Sequence, residues 1–250
     1  RQTRGRAERS PAVAGTETGN LVGALEFASA AADGGSQPII GVQLGIKRAA
    51  MPTPGRPGLR PDPDQLVLLA QSADGYQNLI HLVSEGCLEN EEGHPAVLPL
   101  SALEGRTEGI IALTGGPAGT VGRLLAEGQQ PAAEAALADL MKLFPDRLYV
   151  ELMRHGLEIE RRIEPALITL ADANDLPLVA TNECFFADDA MYEAHDALLC
   201  IAGGTYVIED NRRRATPVHR FKSAAEMRAL FADLPDAVDY TIAIARRFSF

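Results

Sequence analysis

GIIALTGGPAGTVGRLLAEG, residues 109–128, sets the fold class. Apolar residues fill Ile110, Ile111, Ala112 and Leu113 without alternation, as a strand covered on both faces requires. The run stops at Thr114-Gly115-Gly116, and the helical pattern GRLLAEG (residues 122–128) follows the glycine-rich turn. Strand-like runs recur in PIIGVQL (residues 38–44), QLVLLAQ (65–71), RLYVEL (147–152) and LPLVATN (176–182). Helical spacing links Tyr76, Leu79, Ile80 and Val83; Ile163, Ala166, Leu167 and Leu170; and Met191, Ala194, His195 and Leu198. Pro165 should kink the second of these helices or mark its start. Ser223 and Glu226 form a capping box, and Pro235 suits the first turn of a last helix. This alternation predicts an α/β fold of parallel strands with right-handed crossovers, as an open sheet or a barrel.

The 250 residues are 46% hydrophobic and 23% charged, which excludes disorder and allows one large core or two small ones. No run of 18 apolar residues exists to span a membrane. The opening RQTRGRAERS has no apolar signal-peptide core. Cys87, Cys184 and Cys200 suggest no disulfide framework and fit a reducing cytoplasm. A net charge of −11 argues against a surface built to grip nucleic acid. Residues 51–64 hold five of the 16 prolines and read as a long loop. Residues 209–222 read as a basic connector whose Arg212, Arg213 and Arg214 suit a solvated loop better than a phosphate contact.

Ligands in parallel α/β folds meet the C-terminal ends of strands. Those ends carry Thr16, Glu17 and Thr18; Gln43; Thr114, Gly115 and Gly116; Glu151 and His155; and Thr181, Asn182 and Glu183. Polarity also resumes at strand ends for no reason but solvent. As metal ligands, Glu17, Glu151, His155 and Glu183 are a thin set, and the five histidines lack paired ligand spacing. His155 could equally bond a carbonyl or cap a helix. The turn at residues 114–122 departs from phosphate-loop spacing and reads as a bare tight turn. No G-x-S-x-G occurs, Cys200 reads as core, and Cys184 reads as packed at the rim beside Phe185 and Phe186.

Eight blocks in order resemble one known family: GNLVGALEF (residues 19–27), PIIGVQL (38–44), DGYQNLIHLVS (74–84), GIIALTGG (109–116), YVELMRHG (149–156), LPLVATNECFF (176–186), AHDALLCI (194–201) and FKSAAEMRALFADLPDAV (221–238). The likeness is to the N-terminal PHP (polymerase and histidinol phosphatase) domains of bacterial DNA polymerase III alpha subunits, in an alphaproteobacterial style. It implies a distorted seven-stranded β/α barrel, incomplete at its N-terminus. Residues 1–250 would form one partial PHP domain, truncated at both ends. Its first strand with a His-x-His motif, and the polymerase palm, thumb and fingers, would lie outside. Loss of that strand should leave an open sheet edge.

Where metal-bearing members of the family have Thr-Asp-His-Gly, this chain has Thr16-Glu17-Thr18-Gly19. Gly-x-Glu becomes Gly41-Val42-Gln43, Ser-Gly-Cys becomes Thr114-Gly115-Gly116, and Asn-Asp-x-His becomes Asn182-Glu183-Cys184-Phe185. Glu17, Thr18, Gln43, Gly116, Glu183 and Phe185 are therefore vestigial metal positions, and Glu151 and His155 remain weak candidates. The resemblance implies no catalytic residue and no cofactor here, with Mg belonging to the absent polymerase domain. It implies a cytoplasmic scaffold within a DNA-directed DNA polymerase, a nucleotidyltransferase of DNA replication. Its partners would be the remaining alpha-subunit domains and, as in some members, a proofreading exonuclease subunit. DNA would be touched only through the absent domains. The rival expectation is a metal-dependent phosphoesterase or 3′–5′ exonuclease using Glu17, Glu151, His155 and Glu183; a further one is a sugar or nucleotide module on residues 115–122.

Overall fold

The computed structural model describes residues 10–48, 62–89 and 96–248. In chain order the elements are β1 (Ala12–Thr18), α1 (Ala24–Asp33), β2 (Gln37–Ile46), β3 (Asp64–Ala70), α2 (Ala73–Glu89), β4 (Val97–Leu98), β5 (Ile110–Leu113), α3 (Thr120–Ala126), α4 (Gln130–Leu143), β6 (Leu148–Met153), α5 (Glu158–Ala173), β7 (Leu178–Thr181), α6 (Tyr192–Gly203), α7 (Ala224–Leu230) and α8 (Pro235–Ala245). Most of the proline-rich stretch expected as a loop, residues 51–61, lies outside the described residues.

The seven strands form one curled sheet in the order β1-β2-β3-β5-β6-β7, with β4 on the edge of β2. β1 pairs with β2 in parallel, as do β5 with β6 and β6 with β7. β3 runs antiparallel to both β2 and β5, so the expectation of parallel strands throughout is corrected. No helix separates β2 from β3 among the described residues, and parallel pairing needs a crossover that carries the chain back. Among the described residues no pairing joins β1 to β7, so the sheet is a barrel wall that curls without closing.

Alternation divides the sheet into two faces. From β2 to β7 the even-numbered residues, such as Val42, Leu44, Leu66, Leu68, Ile110, Val150 and Ala180, pack against the surrounding helices. The odd-numbered Ile39, Val67, Leu69, Ile111, Leu113, Tyr149 and Val179 line the concave face and meet Ile244 of α8 and Phe248. Both faces are covered, which is why these strands read as unbroken apolar runs. Arg247 ties the C-terminal segment down by donating to the Tyr149 hydroxyl at 2.8 Å.

Local signals account for the helix ends. Ser223 Oγ accepts from Glu226 N at 3.2 Å and Glu226 Oε2 accepts from Ser223 N at 2.8 Å, the expected capping box. Pro235 opens α8 as expected. Pro165 lies inside α5, seven residues beyond its first residue Glu158, so it does not mark the helix start. Residues Met191, Ala194 and Leu198, expected as the buried stripe of α6, face solvent; α6 buries Cys200 instead.

Candidate functional site at the barrel mouth

The concave face carries its polar residues where β2, β6 and β7 end. Glu151, on β6, is 3% exposed. Its Oε1 accepts from Thr181 Oγ1 at 2.7 Å and its Oε2 from Gly115 N at 3.1 Å. The Glu151 backbone N–H donates to Thr114 Oγ1 at 3.0 Å, fixing strand against turn. Gln43 Nε2 donates to Glu183 Oε1 at 3.5 Å, and Thr18 Oγ1 donates to Gln43 Oε1 at 3.0 Å. Burial pushes the Glu151 carboxyl up to about 7; the Glu183 charge adds to the rise, while the Thr181 and Gly115 donors oppose it. Among the described residues no Lys or Arg side chain bonds these carboxylates.

Beyond β6 the chain builds a second buried polar cluster. Glu160 accepts from His155 N at 2.7 Å, from Leu157 N at 3.0 Å and pairs with His155 Nδ1 at 2.8 Å. Burial works against its charge, yet the His155 ring and the two backbone donors hold its pKa below the usual carboxylate value. The His155 ring stacks on His219 with centroids 4.0 Å apart, and Phe185 stacks on His219 at 5.4 Å and on His195 at 5.3 Å. Thr216 N donates to His219 Nδ1 at 3.0 Å. Burial, then the adjacent His155, lower His219 to about 4, so it is neutral at pH 7.

The vestigial positions converge only in part: Thr18, Gln43 and Glu183 are linked at the mouth, and Glu17 is not among them. The β1–β2 register sets Thr16 opposite Gly41 and Thr18 opposite Gln43, on the concave face. Glu17 therefore points to the other face, where its Oε2 accepts from Gly23 N at 3.2 Å beside α1. Glu17 and Glu183, both carboxylates at family positions, lie on opposite sides of the sheet. Gly116 adopts φ +52°, and a Cβ there would come within 3.2 Å of the Met153 side chain, so a larger residue would be strained there and would press Met153 to shift. Phe185 is held in the ring stack. His155 directs Nδ1 to Glu160 and lies flat against His219.

The family's metal centre can be tested against these donors. Gln43 and Glu183 are bonded to each other, each Glu151 oxygen already accepts a hydrogen bond, and the Nδ1 of His155 is given to Glu160 while its Nε2 is without a partner among the described residues. Among the described residues no three His, Cys, Asp or Glu side chains are grouped to hold a metal ion. The residues do not fit a multinuclear centre. The glycine-rich turn is equally occupied: Gly115 N serves Glu151, Gly119 N bonds Gly115 O at 3.0 Å, and α3 is only seven residues long. A cavity of about 220 Å³ lies away from Glu151 and Glu183, between β1 and α1, lined by Gly15, Glu17, Leu21 and Phe27.

The connector is solvated at Arg213 and Arg214, as read, and departs from that reading at Arg212. Both Nη atoms of Arg212 sit 2.6 Å from Asp196 of α6, and the Arg212 side chain is 4% exposed. Arg214 donates to Glu209 O at 2.7 Å. Arg220 is paired with Asp189 and Glu226. Cys200 is buried as expected, and Cys184 is half-buried. Glu160 escaped sequence reading because its turn begins at Leu157, without the Ser or Thr of a capping box; a glutamate three residues into the helix was the only signal. His219 was visible as a residue but its ring partners His155 and Phe185, drawn from two separate segments, were not.

Comparison with known proteins bears on the same barrel. The family model described as "PHP domain" matches residues 3–155. The DNA polymerase III subunit alpha of Caulobacter vibrioides is 46% identical over 242 residues, 97% of this chain and 21% of that protein. The proteins of the same name from Rickettsia bellii and Pseudomonas aeruginosa are 36% and 34% identical, over 94% and 95% of this chain. The chain spans about a fifth of the length of these relatives. Among the described residues no helix is long and apolar enough to cross a membrane. The ordered sequence blocks, the curled strand-and-helix wall and a family match over more than half its length agree: the chain belongs to the PHP domain family.

Proposed function

We propose that this chain is the PHP domain of a DNA polymerase III alpha subunit and acts there as a metal-free scaffold. Residues 1–250 would belong to that one domain, in a parent that also carries the polymerase domains. In this reading the parent is a cytoplasmic, DNA-directed DNA polymerase of chromosomal replication. Its nucleotidyl transfer and its Mg chemistry reside in those other domains, and so does contact with DNA. The domain's partners are the remaining alpha-subunit domains, with the proofreading exonuclease as a second docked protein. No catalytic residue is assigned in this chain.

One observation carries the reading: among the described residues His155 Nε2 is buried without a partner, yet no three His, Cys, Asp or Glu side chains are grouped to hold a metal ion. Gln43 holds Glu183, Glu151 is held by Thr181 and Gly115, and Glu17 faces α1. Even so, a pair of carboxylates could recruit a cation weakly, so the test is direct. The purified chain is incubated with Mn²⁺ or Zn²⁺, desalted, and assayed for bound metal and for phosphatase activity. The scaffold reading expects well under one metal per chain and hydrolysis at the background rate. One equivalent of retained metal, lost in a Glu183→Ala variant together with phosphatase activity, would replace it with the phosphoesterase reading.

A further inference from the structure

The strongest unexplained surface is on α6. Ala194, Ala197, Leu198, Ile201 and Ala202 recur at i, i+3, i+4, i+7 and i+8 and all are exposed. Leu198 and Ile201 are 63% and 77% exposed. The opposite side of the helix already has its partners: Cys200 is buried, Asp196 holds Arg212, and His195 stacks on Phe185. Beyond the left-handed Gly204 the apolar surface continues through Tyr206, Val207 and Ile208, the last 90% exposed. An exposed apolar stripe on a helix already packed on its other side is a surface built to be covered. The described residues leave the stripe uncovered.

We propose that this stripe, with the segment at Tyr206 to Ile208, is the surface on which the rest of the alpha-subunit polypeptide packs. The inference rests on reading the chain as one part of such a subunit and names the surface that reading leaves open. Three observations choose the occupant. The relatives carry roughly four-fifths of their length beyond the matched region, so a large covering partner travels on the same polypeptide. The stripe contains no charged residue, which suits a permanent contact better than one with a subunit that comes and goes. A second copy would bring together two chains each of net charge −11, which opposes self-association.

The test compares labelling rates at introduced cysteines. This chain replaces the matching fifth of the Caulobacter alpha subunit, and Ile201→Cys and, as control, Glu134→Cys are made in the chimera and in the 250-residue chain. Glu134 is exposed on α4, so both positions should react alike in the chain alone. Maleimide modification is followed by peptide mass. In the chimera, Ile201→Cys is expected to react at least tenfold more slowly than Glu134→Cys. Equal rates in the chimera would overturn the proposal. So would slow labelling in the 250-residue chain together with sedimentation at twice its mass, or protection that appears only when exonuclease is added. DNA synthesis by the chimera is read separately: its absence tells against the alpha-subunit reading, whereas free labelling of an active chimera tells against this surface.

Discussion

Glu151 and Glu160 are almost equally buried, 3% and 4% exposed, and sit on either side of one strand-to-helix turn. Their acidities move in opposite directions. Glu160 is met by an imidazole and two backbone N–H groups, so its charge is compensated. Glu151 is met by one hydroxyl and one backbone N–H, and another carboxylate stands near. Surface exposure is thus nearly the same, and the number and kind of donors contribute to whether a charge is tolerated. The turn is built to hold an anion; the mouth holds one at a cost.

The contrast can be broken from the Glu160 side first. Glu160→Ala leaves three buried donor groups without their acceptor and should cost about 3–4 kcal/mol, since an uncompensated buried polar group forfeits its full desolvation energy. A urea titration would register this as a lower midpoint at unchanged slope. A loss below about 1 kcal/mol would mean that the turn reorganises and the donors find water.

At the mouth the sign reverses. A carboxyl with a raised pKa stabilises the fold fully below its unfolded value, near 4.5, and loses that contribution as pH climbs to about 7. The shift corresponds to an upper bound of about 3 kcal/mol. Glu151→Gln can keep an oxygen on Gly115 N while its amide donates to Thr181 Oγ1. The variant is therefore expected to gain about 1–3 kcal/mol at pH 8 and little at pH 5. Thermal melts at the two pH values check it; destabilisation at pH 8 would mean that the negative charge is wanted there.

His219 supplies the opposite slope. Its pKa is depressed to about 4, so the stability it contributes is present above about 6.5 and is lost as pH falls toward 4. His219→Phe keeps a ring in the stack and removes the titration, at the expense of the Thr216 hydrogen bond. It should flatten the acid limb between pH 6.5 and 4 by about 2 kcal/mol, as read by chemical denaturation across that range. An unchanged limb would assign the acid sensitivity to other groups.

Ser223→Ala gives the smallest effect and the control. Losing the capping hydroxyl should cost about 1 kcal/mol at every pH from 5 to 8, because neither pH-sensitive cluster is touched. A pH-dependent cost would show that α7 and the clusters are coupled.

Much of the site inventory was open to a reader of the chain. Glu151, Glu183, Gln43 and Thr181 stand where apolar runs end, and strand parity puts Glu151, Gln43 and Thr181 on the concave face. Glu17 was misleading, because its neighbours in sequence are concave-facing residues and only the register with β2 turns it outward. Arg212 was misleading for a similar reason. Its charge suggested solvent, and its partner Asp196 lies on a helix 16 residues earlier.

Local physics therefore determined the elements themselves: uninterrupted Val, Ile and Leu runs must be strands covered twice, and Ser223 and Pro235 must begin helices. These features depend on neighbours within a few residues, so the chain displays them directly. Strand direction at β3, the side taken by Glu17, the histidine stack and the bare stripe of α6 were decided only in three dimensions. Each depends on which distant segment arrives opposite, and residue spacing along a chain carries no record of that.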